Sequence, residues 1–272
     1  MSSRVRLVVV MDPIETIKPA KDSTLAILVA ARALGWELFY AAQKDLYLRD
    51  GAAWGRVAPL QVFDDMRTWF ARGAASVGKL GDYDAILMRK DPPFDMEYIY
   101  STYILDRARD QGARIFNSPQ GPRDMNEKMY TTWFPECCAP TLVTRDMHDM
   151  SEFLREHGKA VCKPLDGMGG RSIFVLEQGD KNRNVVFETL TETGTRYAIV
   201  QRYLPEIVTG GDCRVLLVDG EAMIFVGLDV IGDHVTEINV TSPTGIRELN
   251  TKHNVDIGGL LVSAISRNQD AA

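Results

Sequence analysis

The order of secondary structure is decided by residues 4–42, which contain RVRLVVVMD (4–12), DSTLAILVAARALG (22–35) and WELFYAA (36–42). The first and third stretches are apolar runs of the kind found in buried strands. The stretch between them has helical spacing, a cap candidate at Asp22 or Ser23, and Gly35 at its end. A strand, a helix and a second strand in succession predict the βαβ unit of a parallel sheet.

The same alternation continues to about residue 120. YDAILMRKD (83–91) predicts a strand, YIYSTYILDRARDQG (98–112) a helix and ARIFNSP (113–119) another strand. We therefore expect a doubly wound α/β domain over residues 1–122. Ligands of such sheets bind at the carboxyl ends of the strands, and the residues at those ends are Asp12, Arg89, Lys90 and Asn117.

A change of organisation is predicted at SPQGPRDMNEKMYTTWF (118–134), where prolines and a glycine precede a helix start with Asp124 as its cap candidate. Beyond it, short strands joined by turn signals alternate with helices such as MSEFLREHG (150–158). This pattern is typical of α+β structure.

Composition argues against several classes of protein. The 272 residues carry a formal net charge of −6, which repels nucleic acid and anionic membranes. The apolar run before Asp12 is shorter than a signal-peptide core of roughly 7–15 residues, and no run approaches the roughly 20 residues of a membrane span. The four cysteines include no CxxC pair, so neither a disulfide framework nor a zinc site is expected and a reducing cytoplasm fits best.

A hairpin with carboxylates is predicted in FVGLDVIGDHVTEINVTSPTG (225–245), where two apolar strands flank a Gly-Asp turn. Asp229 then lies roughly opposite Glu237, and Asn239 shares a face with Glu237. Donors that are all oxygens favour Mg²⁺ over zinc. A solvated hairpin face explains this pattern equally well.

A phosphate site is indicated by AVCKPLDGMGGRSIFV (160–175), where Lys163 ends an apolar run and precedes a glycine-rich loop. Glycines allow backbone N–H groups to converge on an anion, although no GKS or GKT and no GxGxxG is present. Lys128, Lys163 and Arg214 are each, taken singly, best interpreted as surface charges. Together with the carboxylate hairpin they predict a Mg²⁺-nucleotide site, and VQRYLPE (200–206) could hold the adenine.

Eight short motifs follow one another along the chain: MDPI (11–14), LMRKDPPFD (87–95), NSPQGPRDMNEK (117–128), KPLDGMGG (163–170), QRYLPEI (201–207), DCRVLLVDGE (212–221), FVGLDVIGD (225–233) and TEINVTSPTGIRE (236–248). Together they resemble the bacterial glutathione synthetases, which are ATP-grasp ligases. The resemblance implies two α+β subdomains of an ATP-grasp fold, over residues 123–200 and 201–272. It also implies a cytoplasmic homo-oligomer that joins γ-glutamylcysteine to glycine with ATP and Mg²⁺, or with Mn²⁺ as a substitute.

The resemblance also implies roles for individual residues. ATP would be bound by Lys128, Lys163, Gly167, Gly169, Gly170, Gln201, Tyr203, Leu204 and Asp212, although Gln201 and Tyr203 are explained equally well as core or hinge residues. Lys163 and Arg214 would be catalytic, and the metal ligands would be Asp229, Glu237 and Asn239. The peptide substrate would lie near Asp12, Arg89, Ser242 and Thr244.

One stretch departs from the family pattern. Between Met223 and Ile224 the family carries a further strand, a glycine-rich loop with an arginine, and a helix. Without them EAMIFVGLDVIG (221–232) would form a strand longer than the usual 3 to 10 residues, as if two strands were joined head to tail. Either the chain lacks the segment or the printed sequence omits it, and the intact motifs on both sides favour omission.

Two other functions remain open at this stage. A true deletion would remove the arginine expected to contact the transferring phosphoryl group, leaving a weak or inactive nucleotide-binding protein. Another ATP-grasp ligase of a carboxylate and an amine is the second alternative, because the nucleotide half of the site does not select the substrate.

Overall fold

The protein is represented by a computed structural model that describes residues 4–167, 170–220 and 223–270, with side chains as far as Arg267. The chain divides into two units. Unit 1 comprises Met1–Asp124, Leu216–Gly227 and Val240–Ala272, and unit 2 comprises Met125–Val215 and Leu228–Asn239. The division into residues 1–122, 123–200 and 201–272 stays a prediction.

The first part of unit 1 carries eight strands and three helices: β1 Arg6–Met11, α1 Ser23–Ala33, β2 Glu37–Ala41, β3 Leu46–Arg49, β4 Ala52–Val62, β5 Phe70–Arg72, β6 Ser76–Lys79, β7 Ala85–Arg89, α2 Met96–Asp110, β8 Arg114–Phe116 and α3 Gln120–Asp124. Helix α1 begins where predicted, because the Asp22 carboxylate accepts a hydrogen bond of 2.6 Å from the Leu25 backbone N–H. The helix predicted to start at Asp124 is wrong, since Asp124 is the last residue of α3.

The sheet of unit 1 has a parallel core and an antiparallel extension. Strands β2, β1, β7 and β8 pair in parallel, which confirms the predicted parallel sheet. Strand β4 pairs antiparallel to β2, β3, β5 and β6. This extension was not predicted, because β4 contains Gly55 and Pro59, residue types that normally weaken or end a strand.

Unit 2 begins with four strands and three helices: β9 Thr141–Thr144, α4 Met147–His157, β10 Lys159–Pro164, β11 Phe174–Glu177, α5 Arg183–Thr191, β12 Ala198–Arg202 and α6 Glu206–Gly210. The strands form an antiparallel sheet in the order β11-β10-β12-β9. Leu154 of α4 and Phe187 of α5 pack with Cys162 and Val200 of the sheet. This core fixes the end of β10, where Lys163 lies.

The last elements are β13 Cys213–Val218, β14 Phe225–Ile231, β15 His234–Asn239, α7 Ile246–His253 and α8 Ile257–Asp270. The three strands form a sheet in chain order, which includes the predicted hairpin of β14 and β15. In unit 1, Leu261 and Ile265 of α8 pack in the same core as Leu28 of α1 and Val9 of β1.

The predicted long strand at the junction is wrong. Strand β13 ends at Val218 and β14 begins only at Phe225. Between them the Asp219 N–H donates to the Ile224 carbonyl at 2.9 Å, and Asp219 has a φ of 70°, a conformation typical of tight turns. The described residues therefore form two separate strands, β13 and β14, instead of one continuous strand.

No helix in the described part of the chain has the length and apolar character needed to cross a bilayer.

Candidate active site

Lys163 lies at the end of β10, buried in unit 2. Its Nζ is 3.6 Å from Glu237 Oε1 and donates to the Thr236 carbonyl at 3.5 Å, and the residue is 5% exposed. Burial lowers the pKa of Lys163, whereas the Glu237 carboxylate raises it. The interpretation of Lys163 as a surface charge is therefore wrong.

Lys128 reaches the same carboxylate from another part of the chain. Its Nζ contacts the Glu127 carboxylate, lies 3.6 Å from Glu237 Oε1 and donates to the Gly167 carbonyl at 2.5 Å. The Asn126 side chain holds this segment by accepting a hydrogen bond from the Lys128 backbone N–H at 3.1 Å. With an exposure of only 2%, Lys128 is not a surface charge either.

The acids of the hairpin lie beside these lysines. Arg214 Nε is 2.6 Å from Asp229 Oδ1, so Arg214 also has a partner within unit 2. Burial raises the pKa of Asp229 to about 6 against the effects of Arg214 and of a hydrogen bond from Asn239. Partial burial also raises the pKa of Asp212, with Glu237 contributing in the same direction.

These residues form one group, which we call the charged cluster: Glu127, Lys128, Lys163, Asp212, Arg214, Asp229 and Glu237. The structure thus brings together the predicted phosphate-binding cations and the predicted metal ligands, all within unit 2. A solvated hairpin face does not describe this arrangement, because Asp229 is only 9% exposed and pairs with a cation.

The donors near Asp229 fit a hard divalent cation that is shared with a substrate. The carboxylates of Asp229 and Glu237 interact, and the Asn239 amide, whose oxygen is a further hard donor, lies beside Asp229. Among the described residues there is no group of three His, Cys, Asp or Glu side chains suited to a metal. Mg²⁺ commonly uses one or two carboxylates and fills its other positions with water and phosphate oxygens.

Two of the three predicted loop glycines can be described. A Cβ atom on Gly167 would lie 2.8 Å from Pro164 Cγ, and Gly170 has a φ of 76°, so a side chain is disfavoured at both positions. Gly169 lies outside the described residues, as does Met168.

The predicted adenine-side residues pack within unit 2. Gln201 is buried in β12 and donates to Thr141 Oγ1 at 3.1 Å. The Lys159 ammonium lies over the Tyr203 ring, with its Nζ 4.3 Å from the ring centroid. Leu204 is buried. Their contact with adenine stays a prediction.

The residues predicted for the peptide substrate lie in unit 1. Arg89 ends β7, and its guanidinium donates to Thr24 Oγ1 at 3.0 Å and to the Pro243 carbonyl at 2.8 Å. Ser242 Oγ donates to the Arg89 carbonyl at 3.4 Å, so these two predicted residues meet, and the exposed Thr244 follows Pro243. Arg89 Nη1 is buried without a hydrogen-bond partner in the described structure.

The other strand ends of unit 1 have different partners. Asp12 pairs with Lys90 at 3.0 Å and accepts from the Asp91 N–H at 3.0 Å. Asn117 donates to the carbonyls of Phe225 and Val240 at 2.7 and 3.0 Å, and accepts from the Phe225 N–H at 2.9 Å. The amide of Asn117 is thus occupied in joining strands.

Two residues near these sites were not predicted from the sequence. Glu127 contacts Lys128, and its position next to that lysine in the chain was the available signal. Tyr98 has a buried hydroxyl without a partner in the described structure and lies near Arg89, and burial raises its pKa. No pattern in the sequence indicated Tyr98.

Comparison with known proteins identifies the family. The model of the prokaryotic glutathione synthetase N-terminal domain matches residues 5–123, and that of the ATP-grasp domain of the same enzymes matches residues 127–224 and 221–254. The chain belongs to the prokaryotic glutathione synthetase family. It is 46% identical to the glutathione synthetase of Pseudomonas putida, with 97% of this chain and 98% of the relative covered. It is 43% identical to the glutathione synthetase of Salmonella typhimurium, with 96% of this chain and 98% of the relative covered.

Solved structures agree on the ATP-grasp fold. The D-cycloserine synthetase DcsG has a TM-score of 0.67 at 12% identity, with 97% of this chain and 99% of that one covered. The ATP-grasp ligase PsnB, complexed with a precursor peptide and AMPPNP, has a TM-score of 0.63 at 18% identity, with 99% of both chains covered. At these identities the likeness establishes the fold alone.

An internal difference separates this chain from its family. The alignment with the Pseudomonas putida enzyme is 311 positions long. This chain contributes 97% of its 272 residues to it, which is about 264. About 47 aligned positions of the relative therefore have no counterpart in this chain. The ATP-grasp match is split at residues 221–224. The family segment expected between Met223 and Ile224 is therefore absent from this sequence, in which the Asp219 N–H donates to the Ile224 carbonyl.

Proposed function

We propose that this chain joins γ-glutamylcysteine to glycine through an acyl phosphate, using ATP and Mg²⁺, and so makes glutathione, ADP and phosphate. Membership of the family implies an ATP-dependent ligase of glutathione synthesis that acts on small molecules and uses a divalent metal. The residue roles below, the metal and the two named substrates are our proposal.

The proposal depends most on one observation. Lys128 and Lys163 are both buried, and both have their Nζ 3.6 Å from the same Glu237 oxygen. Burying two ammonium groups together is unfavourable unless anions surround them. A triphosphate is the anion that suits such a pair, so we assign both lysines to its phosphate oxygens and Arg214 to the transferring phosphoryl group.

The reaction needs no protein nucleophile. An oxygen of the cysteinyl carboxylate attacks the γ-phosphorus and ADP leaves. The glycine amine then attacks the acyl carbon, phosphate leaves and the amine loses a proton. The lysines and Arg214 hold the phosphate oxygens in line and balance their charge. Asp229, Glu237 and Asn239 would hold Mg²⁺, which supplies further positive charge to the phosphates.

Carboxylate recognition is assigned to unit 1. Arg89 keeps one guanidinium nitrogen, Nη1, without a partner in a buried position. A buried donor of this kind is costly unless a ligand or water satisfies it. We therefore assign Arg89 to a carboxylate of the peptide substrate, with Asp12, Ser242 and Thr244 nearby in the same substrate site.

The missing segment favours a second candidate. A chain without about 47 positions of the family match also lacks the cation that the resemblance placed there. A nucleotide-binding protein with little or no ligase activity is therefore the alternative function.

ADP release measured with different acceptors separates these functions. Turnover that requires both γ-glutamylcysteine and glycine, with glutathione identified by mass, supports the proposal. Turnover with other carboxylate and amine pairs would indicate a different ligase. Binding of ATP without turnover on any pair would support the alternative.

We further propose a cytoplasmic homo-oligomer. All four cysteines are free, which agrees with a reducing compartment. Light scattering coupled to size exclusion tests the oligomeric state, and a mass equal to that of one 30.4 kDa chain would contradict it.

A further inference from the structure

The two lysines of the charged cluster share a carboxylate partner. Glu237 Oε1 lies 3.6 Å from Nζ of both Lys128 and Lys163, so a single carboxylate forms ion pairs with both. Glu237 is also a proposed metal ligand. The same oxygens are thus required by two different partners.

Charge and distance show which contact must break. Lys128 donates hydrogen bonds to the Glu127 carboxylate and to the Gly167 carbonyl at 2.5 Å, whereas Glu237 lies at an ion-pair distance of 3.6 Å. A phosphate oxygen that approaches both lysines would meet the like charge of the Glu237 carboxylate, which repels it. Glu237 is the more distant of the two carboxylates, and its departure releases Lys163 as well as Lys128.

We propose that Glu237 is a switch carboxylate, which holds Lys128 and Lys163 until it transfers to a divalent cation and thereby releases both lysines for phosphate. This inference rests on the proposed function, because it assumes a nucleotide at the charged cluster. Metal and nucleotide must then strengthen each other's binding by the same factor, as thermodynamic linkage requires.

The switch predicts an unusual effect of removing a metal ligand. The Glu237→Gln variant lacks the charge that holds the lysines, so it should bind metal-free ATP more tightly than the wild type. Typical coupling between two sites corresponds to about 5- to 150-fold. If Glu237 acted only through its charge and did not hold the lysines, the gain would be the same with and without Lys163.

The test is calorimetric titration of ATP in EDTA into the wild type and Glu237→Gln. Glu177→Gln is the matched control, because it makes the same charge change in unit 2 and breaks the exposed ion pair with Lys159, 2.8 Å long. A double-mutant cycle compares the effect of Glu237→Gln in the wild type and in the Lys163→Gln background. It separates release of the lysine from a general change in the electrostatic potential at the site.

Tighter binding by Glu237→Gln alone, with a smaller gain in the Lys163→Gln background, supports the switch. Equal affinities, or an equal gain with and without Lys163, would overturn it while leaving the proposed function intact if the wild type binds MgATP. Failure of the wild type to bind ATP even with Mg²⁺ would remove both.

Discussion

Replacing Asp229 with asparagine should stabilise the metal-free protein. Burial raises the pKa of this carboxyl from 3.8 to about 6, so its ionisation in the folded state is disfavoured. Each pKa unit corresponds to about 1.4 kcal/mol, so ionising Asp229 costs about 3 kcal/mol more in the folded protein than in the unfolded chain. Asp229→Asn removes the ionisation while leaving Arg214, whose side chain is 30% exposed, free to be hydrated.

The effect has a definite pH dependence. Because the folded protein binds this proton more tightly than the unfolded chain, the group contributes stability fully below pH 3.8, and that stability is lost as pH rises through about 6. The wild type should therefore lose stability relative to Asp229→Asn between these values, and the variant should be more stable by up to about 3 kcal/mol at neutral pH.

Urea unfolding in EDTA at several pH values measures this difference. Asp233→Asn is the control, since it makes the same change at an exposed position in the turn of the same hairpin and should alter stability by less than about 0.5 kcal/mol. A difference between wild type and Asp229→Asn that does not vary with pH, or a less stable variant at neutral pH, would refute the reasoning.

Three further predictions concern single contacts. Lys163→Met should weaken MgATP binding about 10- to 100-fold, as expected for a charge-assisted hydrogen bond of about 1.5–3 kcal/mol. The same change at the exposed Lys181 should leave MgATP binding unaltered. Equal dissociation constants for MgATP in the wild type and Lys163→Met would argue against a phosphate role for Lys163. Asn117→Ala should lower the free energy of unfolding, measured in urea, by about 3 kcal/mol, because three buried hydrogen bonds contribute about 1 kcal/mol each. A decrease of less than about 1 kcal/mol would contradict this expectation. Arg89→Met should raise KM for γ-glutamylcysteine without changing ATP affinity, and an unchanged KM would place the carboxylate elsewhere.

Much of the architecture could be predicted because it depends on local pattern. Apolar runs such as Leu7–Val10 and the Asp22 cap specify a strand and a helix start without knowledge of the rest of the chain. The antiparallel strands around β4 could not be predicted, since Gly55 obscured the strand pattern and only pairing with several partners stabilises it.

The candidate site was harder to predict than its residue types. Cations and acids were identifiable, but the sharing of Glu237 by two lysines depends on how β10 and β15 pack in unit 2. Burial of Lys163 was unpredictable for the same reason, because a lysine at a strand end is normally solvated. The hydrogen bond between Asp219 and Ile224 escaped prediction because it lies where this sequence lacks residues that its family has.

Anomalous X-ray scattering from crystals grown with Mn²⁺ and ADP tests most directly whether the charged cluster binds a metal nucleotide. The anomalous peak should lie beside Asp229 and Glu237, with the β-phosphate within hydrogen-bond distance of Lys128 and Lys163. Metal and phosphate bound away from these four side chains would contradict the proposed site.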